Sequence, residues 1–234
     1  MATAAAPRTS AAAIAVAVRR PHDPAAMLLH AAWMAIALGL LMQSLTAIVA
    51  VSAGGKYPAL AEFVRDGVQK VTWSSFVCAG LAIGTAVSRL RTLWTGLLGV
   101  LAAPIGFVLA RAAQKSTAGA LGVAPPEVLS TGVFVAVLCV KAIEYGVLGT
   151  IIAWMAQKAR GGLRDHVLVG LGVGATFGGV VLAIVYANAA TPPPAPKLAG
   201  LAVNELLFPA GCALVLSAAN TIGRRLAPVL PPNS

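Results

Sequence analysis

The chain has 234 residues, 59% of them hydrophobic and only 10% charged, with a mean hydropathy of +0.86, whereas soluble domains carry about 25% charged residues; a soluble fold is excluded. The apolar runs are too long and alternate too little for the roughly 10-residue strands of a membrane barrel, which leaves an all-α membrane protein. The formal net charge of +10 is spread over short connections, so it argues for lipid headgroups as the partner and against nucleic acid.

Residues 1–26 are Ala-rich and carry Arg8, Arg19 and Arg20 with Pro7, Pro21 and Pro24. A signal peptide places its positive charges before the apolar run; here Arg19 and Arg20 follow it. The segment reads as a disordered cytoplasmic tail, with an organelle transit peptide as the alternative. Six candidate spans follow, at approximately 27–52, 70–88, 92–110, 131–157, 167–189 and 198–221, inside a transmembrane domain 27–222 that ends in a short cytoplasmic tail 223–234. Each is long enough, at about 20 residues or more, to cross a bilayer core as a helix.

An even number of spans puts both termini on one side. That side would hold Arg8, Arg19, Arg20, Arg89, Arg91, Lys158, Arg160, Arg164, Arg224 and Arg225, against Lys56, Arg65, Lys70, Arg111, Lys115 and Lys197 on the other. The positive-inside bias therefore predicts cytoplasmic termini and a multi-pass protein of the inner membrane. The outer segments 53–69 and 111–130 are long enough for interfacial amphipathic helices, with Tyr57, Phe63 and Trp73 at headgroup level. The proline-rich stretch Thr191 to Lys197 reads as a stiff link.

Gly170, Gly174 and Gly178 form two overlapping GxxxG units in the fifth span and predict a close helix contact. Weaker small-residue stripes run through Gly80, Gly84 and Ser88, through Ala102, Gly106 and Ala110, and through Ala31, Ala35, Gly39, Gln43 and Ala47. Cys78, Cys139 and Cys212 fall in apolar windows and read as core fillers. Pro104 and Pro209 lie at corresponding depths of the third and sixth spans, as helix breaks in an inverted repeat of two three-helix halves would. The likeness of Gly106-Phe-Val-Leu-Ala110 to Gly179-Val-Val-Leu-Ala183 favours a repeated hairpin instead.

The chemistry concentrates in the fourth span, where Lys141 and Glu144 sit near the middle of an apolar helix. Each such charge costs about 2.5–3.5 kcal/mol on insertion scales, so it needs a partner or a wet cavity. Lys141, Glu144 and Tyr145 share one helical face. Asn204 and Glu205 in the sixth span and Gln43 in the first are expected at depths that converge on them. Pro209 also removes the N–H that the Glu205 carbonyl would accept, offering a free oxygen beside a carboxylate. The competing reading is a structural lock, with Lys141 neutralising Glu144 or Glu205.

His30 and His166, near one end of the bundle, resemble a haem pair only weakly and read as interfacial. No GxSxG, HExxH or Walker pattern occurs; no catalytic residue, metal or cofactor is expected, and a membrane enzyme ranks below two other readings. The first is a secondary transporter or channel-like permease for an ion or small polar solute, using Lys141, Glu144 and Glu205 with help from Gln43, Asn204 and Tyr145. The second is a non-catalytic subunit of a larger inner-membrane complex. Partners would be the bilayer and either further copies of the chain or other membrane subunits.

Overall fold

The computed structural model describes residues 24–86, 91–158 and 162–226. Most of both expected tails lies outside these residues, as do Arg89 and Arg160 of the expected cytoplasmic set. The described residues contain no strand and form α1 (Pro24–Ser52), α2 (Leu60–Ala86), α3 (Arg91–Leu121), α4 (Thr131–Gln157), α5 (Leu163–Val173), α6 (Gly179–Ala187) and α7 (Ala195–Leu226). A π-helical turn, Gly174–Gly178, joins α5 to α6, so that Leu163–Ala187 is one continuous rod of 25 residues.

Local chemistry sets the ends. Gly54 and Gly122 take positive φ, 91° and 64°, which lets the N–H of Gly55 reach the Ala50 carbonyl and that of Val123 reach the Ala118 carbonyl, both at 3.0 Å. These reversed bonds close α1 and α3 in the manner of a Schellman motif. At the start of α4 the Ser130 hydroxyl accepts from the Val133 N–H, as an N-cap does. Pro104 and Pro209, which the sequence marks as helix breaks, do not break their helices; α3 and α7 run through them.

Five helices are long and apolar enough to cross a membrane: α1, α3, α4, the α5–α6 rod and α7. The expectation was six. The missing one is α2, whose first half carries Glu62, Arg65, Asp66, Gln69 and Lys70. Those residues do not form the separate interfacial helix expected over 53–69, because α2 continues through them without interruption. Likewise α3 extends to Leu121, so 111–121 belongs to it. Trp73 is buried in the core and not at headgroup level, since it shares the inward face of α2 with Lys70; Tyr57 and Phe63 stack on each other near the end of the bundle, with centroids 6.5 Å apart.

The helices close into a ring. α1 packs between α2 and α7, α3 between α2 and α4, and the α5–α6 rod lies on α7 and reaches α4. α2 runs antiparallel to α1 along its whole length: the Ser74 hydroxyl donates to the Ala35 carbonyl at 2.6 Å, and Thr85 reaches Met27. Exposed apolar side chains cover the outside of every helix, including Phe76 and Ile83 on α2. Inside, Leu81, Leu148, Ile152 and Leu216 fill the half nearest the α4–α5 connection.

Candidate functional site

A cavity of about 810 Å³ enters from the end where the α1–α2, α3–α4 and α6–α7 connections meet, and descends between α2, α3, α4 and α7. Its floor is made of Lys141, Tyr145, Glu205 and Phe208. Lys141 lies ten residues into α4, which begins at Thr131, or about 15 Å along the helix axis.

Lys141 pairs in both directions. Its ammonium donates to Glu144 Oε2 at 2.8 Å within α4 and to Glu205 Oε2 across the bundle on α7. The three side chains are 6%, 0% and 7% exposed, so the ion cluster is enclosed by protein. Asn204 supports it by donating Nδ2 to Glu205 Oε1 at 3.4 Å. Three buried polar atoms around the cluster have no hydrogen-bond partner: Glu144 Oε1, the Tyr145 hydroxyl and Asn204 Oδ1. Tyr145 meets Lys141 through its ring, with the ammonium 5.8 Å from the centroid, and Trp73 packs edge-on against that ring at 5.5 Å.

Gly170, Gly174 and Gly178 face α7 of the same chain. A Cβ on Gly178 would lie 2.9 Å from both the Cβ and the carbonyl oxygen of Glu205, and one on Gly174 would lie 3.0 Å from that oxygen. The rod can approach so closely only because these positions lack side chains. The Glu205 carbonyl, deprived of its helical donor by Pro209, therefore faces glycine backbone.

Gln43 does not join the ion cluster. Its amide oxygen accepts from the Lys70 ammonium at 2.9 Å, because α1 packs against α2 and α7, which separate it from α4. Small-residue stripes marked Gln43 as inward-facing without identifying its neighbour. Lys70 itself lines the cavity, one turn above Trp73. Higher up, Arg65 pairs with Asp66 at 2.8 Å, Gln114 Nε2 donates to Asp66 Oδ1 at 2.9 Å, and Gln114 Oε1 is buried without a partner. At the mouth Lys197 pairs with Glu127, and Arg111 donates to the Glu127 carbonyl.

The wall thus carries Arg65, Lys70, Arg111, Lys141 and Lys197 against Asp66, Glu127 and Glu205. Among the described residues, no carboxylate forms an ion pair with Lys70 or Arg111. Asp66, Lys70, Trp73 and Gln114 were not among the candidate residues read from the sequence. The usable signal was the spacing of Asp66, Lys70 and Trp73 at i, i+4 and i+7 on one face of α2.

Below the cluster, Cys78 on α2 and Cys212 on α7 place their sulfurs 3.5 Å apart, both as buried thiols. His30 and His166 each bond the carbonyl four residues back. Among the described residues, no group of three or more His, Cys, Asp or Glu side chains could hold a metal ion. The chain matches no protein-family model, no curated protein and no solved structure.

Proposed function

We propose that the chain is a secondary transporter or channel-like permease for an ion or small polar solute, with six bilayer crossings that include α2. It is a carrier in this reading and not an enzyme. The supporting observation is the cavity that runs from one end of the bundle to an enclosed Lys141–Glu144–Glu205 cluster and stops there against apolar packing. Ionisable groups at this depth are expensive in a purely structural role, since a well-packed apolar substitute is often as stable or more so. Lys70 and Arg111, which form no ion pair among the described residues, favour a solute that brings a negative group of its own. The low hydropathy of α2 fits a crossing, because Asp66 and Lys70 line the cavity while Phe76 and Ile83 face outward.

In this proposal the mouth opens away from the cytoplasm of an inner membrane, as the charge bias of the connections suggests. The test is uptake into proteoliposomes across a panel of small ions and polar solutes. A solute carried by the native chain should lose its flux with Glu205→Gln, and equally when the mouth is obstructed by Gly200→Trp. Flux that survives both changes refutes the assignment.

A subunit role draws support from one observation. The outward face of the α5–α6 rod exposes Gly172, Thr176, Gly179 and Ala183, a small-residue face on which another helix could rest. Stoichiometric membrane proteins recovered after gentle solubilisation would favour that role, and a monodisperse preparation of this chain alone would count against it.

A further inference from the structure

We propose that the ion cluster is a proton-binding site, and that Glu144 is the group that carries the proton. The role of this proton as the coupling ion rests on the transport reading; its presence does not.

The charge count comes first. Two carboxylates share a single ammonium, so the fully ionised cluster has a net charge of −1. The titratable side chains that face Glu144 are Lys141 and Tyr145 of its own helix and Glu205 and Cys212 of α7, with Cys78 of α2 behind Cys212. At this level α3 presents Thr95, Gly96 and Gly99 to α4, and the rod presents its glycines to Glu205. None of these is a second cation. An uncompensated charge in an apolar enclosure is costly, and groups placed so are normally neutralised. One proton on a carboxyl makes the cluster neutral.

The hydrogen bonds then say which carboxyl holds it. Glu205 accepts at both oxygens, from Lys141 and from Asn204, and it lines the cavity; it is the anion. Glu144 accepts at Oε2 alone, its Oε1 has no partner, and the residue is 0% exposed and does not line the cavity; it is the acid. Exchange with cavity water passes through the other two groups. Hydronium protonates Glu205 and leaves water; Lys141 gives a proton to the Glu144 carboxylate and becomes a neutral amine; the amine then takes the proton from Glu205. Lys141 and Glu205 end as they began, and one proton has moved from the cavity to Glu144. A metal cation has no comparable place, because the Lys141 ammonium already lies between the two carboxylates.

Infrared spectroscopy of the full chain in lipid nanodiscs tests this through the carbonyl stretch of a protonated carboxyl at neutral pH. The native chain should show that band. Both Glu144→Gln and Glu205→Gln should remove it, because either leaves one carboxylate paired with one ammonium. Lys141→Gln should keep the band or strengthen it, and Glu144→Asp should retain it at a shifted frequency should the lysine variant not fold. Absence of the band from the native chain, or its persistence unchanged in Glu144→Gln, overturns the proposal. These spectra read the proton whether or not anything is carried, so a null result in the flux experiments would strike the transport reading and leave the proton site standing.

Discussion

Replacing Lys141 by Met should be among the most damaging single changes in the bundle, and the damage should be reversible by further substitution. The side chain is 6% exposed and bonds two carboxylates that are 0% and 7% exposed. Removing one member of a buried ion cluster typically costs about 3–5 kcal/mol, mostly because the remaining charge is stranded. Adding Glu144→Met and Glu205→Met removes the stranded groups and substitutes unbranched apolar side chains of similar size. Replacement of a whole buried cluster in this way is commonly neutral or stabilising, so the triple variant should regain most of the roughly 3–5 kcal/mol lost by the single one. The assay is the proportion of sodium dodecyl sulfate that half-unfolds the protein in mixed micelles, read by far-ultraviolet circular dichroism. An unchanged midpoint for Lys141→Met would mean that the cluster is wet and weakly coupled. A triple variant no more stable than the single one would mean that the loss came from packing. Under the transport proposal, recovery of the fold without recovery of solute flux would separate the stability of the cluster from its use.

Gly178→Val places a Cβ 2.9 Å from Glu205 Cβ and should cost about 1–3 kcal/mol by overpacking, whereas Gly179→Ala, with nothing within 4 Å, should be neutral or stabilising by up to about 1 kcal/mol; the same unfolding assay compares them. Cys139, expected with the others as a core filler, faces outward from the membrane-spanning α4 while Cys78 and Cys212 are buried, so a charged maleimide should label no site in intact proteoliposomes and three after full denaturation, counted by intact-mass spectrometry. Val128, 89% exposed beside the cavity mouth, and Arg164, exposed at the opposite end, should label from opposite sides of sealed vesicles when each is changed to Cys in a background free of native cysteines. Labelling from the same side would overturn the proposed topology, in which α4 crosses between the two sites.

Some of this site is legible from residue spacing because the relevant constraint is local. Lys141 and Glu144 are three apart, and no helix can separate them. Glu205 was found through a longer inference, from its expected depth in the sixth span and from Pro209 four residues on. The polar wall on α2 was lost for a physical reason: hydropathy averages over all sides of a helix, so residues that face a wet cavity lower the mean as much as residues that face open water. Lys70 therefore looked like the edge of a span and Trp73 like an interfacial anchor, when both sit inside the bundle. Gln43 shows the complementary failure. A stripe identifies the inward face of one helix, but the order of helices around the ring decides what that face meets, and that order depends on contacts far apart in the chain.

The π turn and Pro209 meet at the level of Glu205. Along most of their length the helices are stiff because each peptide is bonded to the one four residues away. At this height one rod has its bonds stretched over a wider turn, its neighbour has lost one bond, and the glycines between them leave no side chains to interlock. Bending at this height would break fewer helical hydrogen bonds than at a height where both ladders are intact, and Glu205 of the ion cluster lies there.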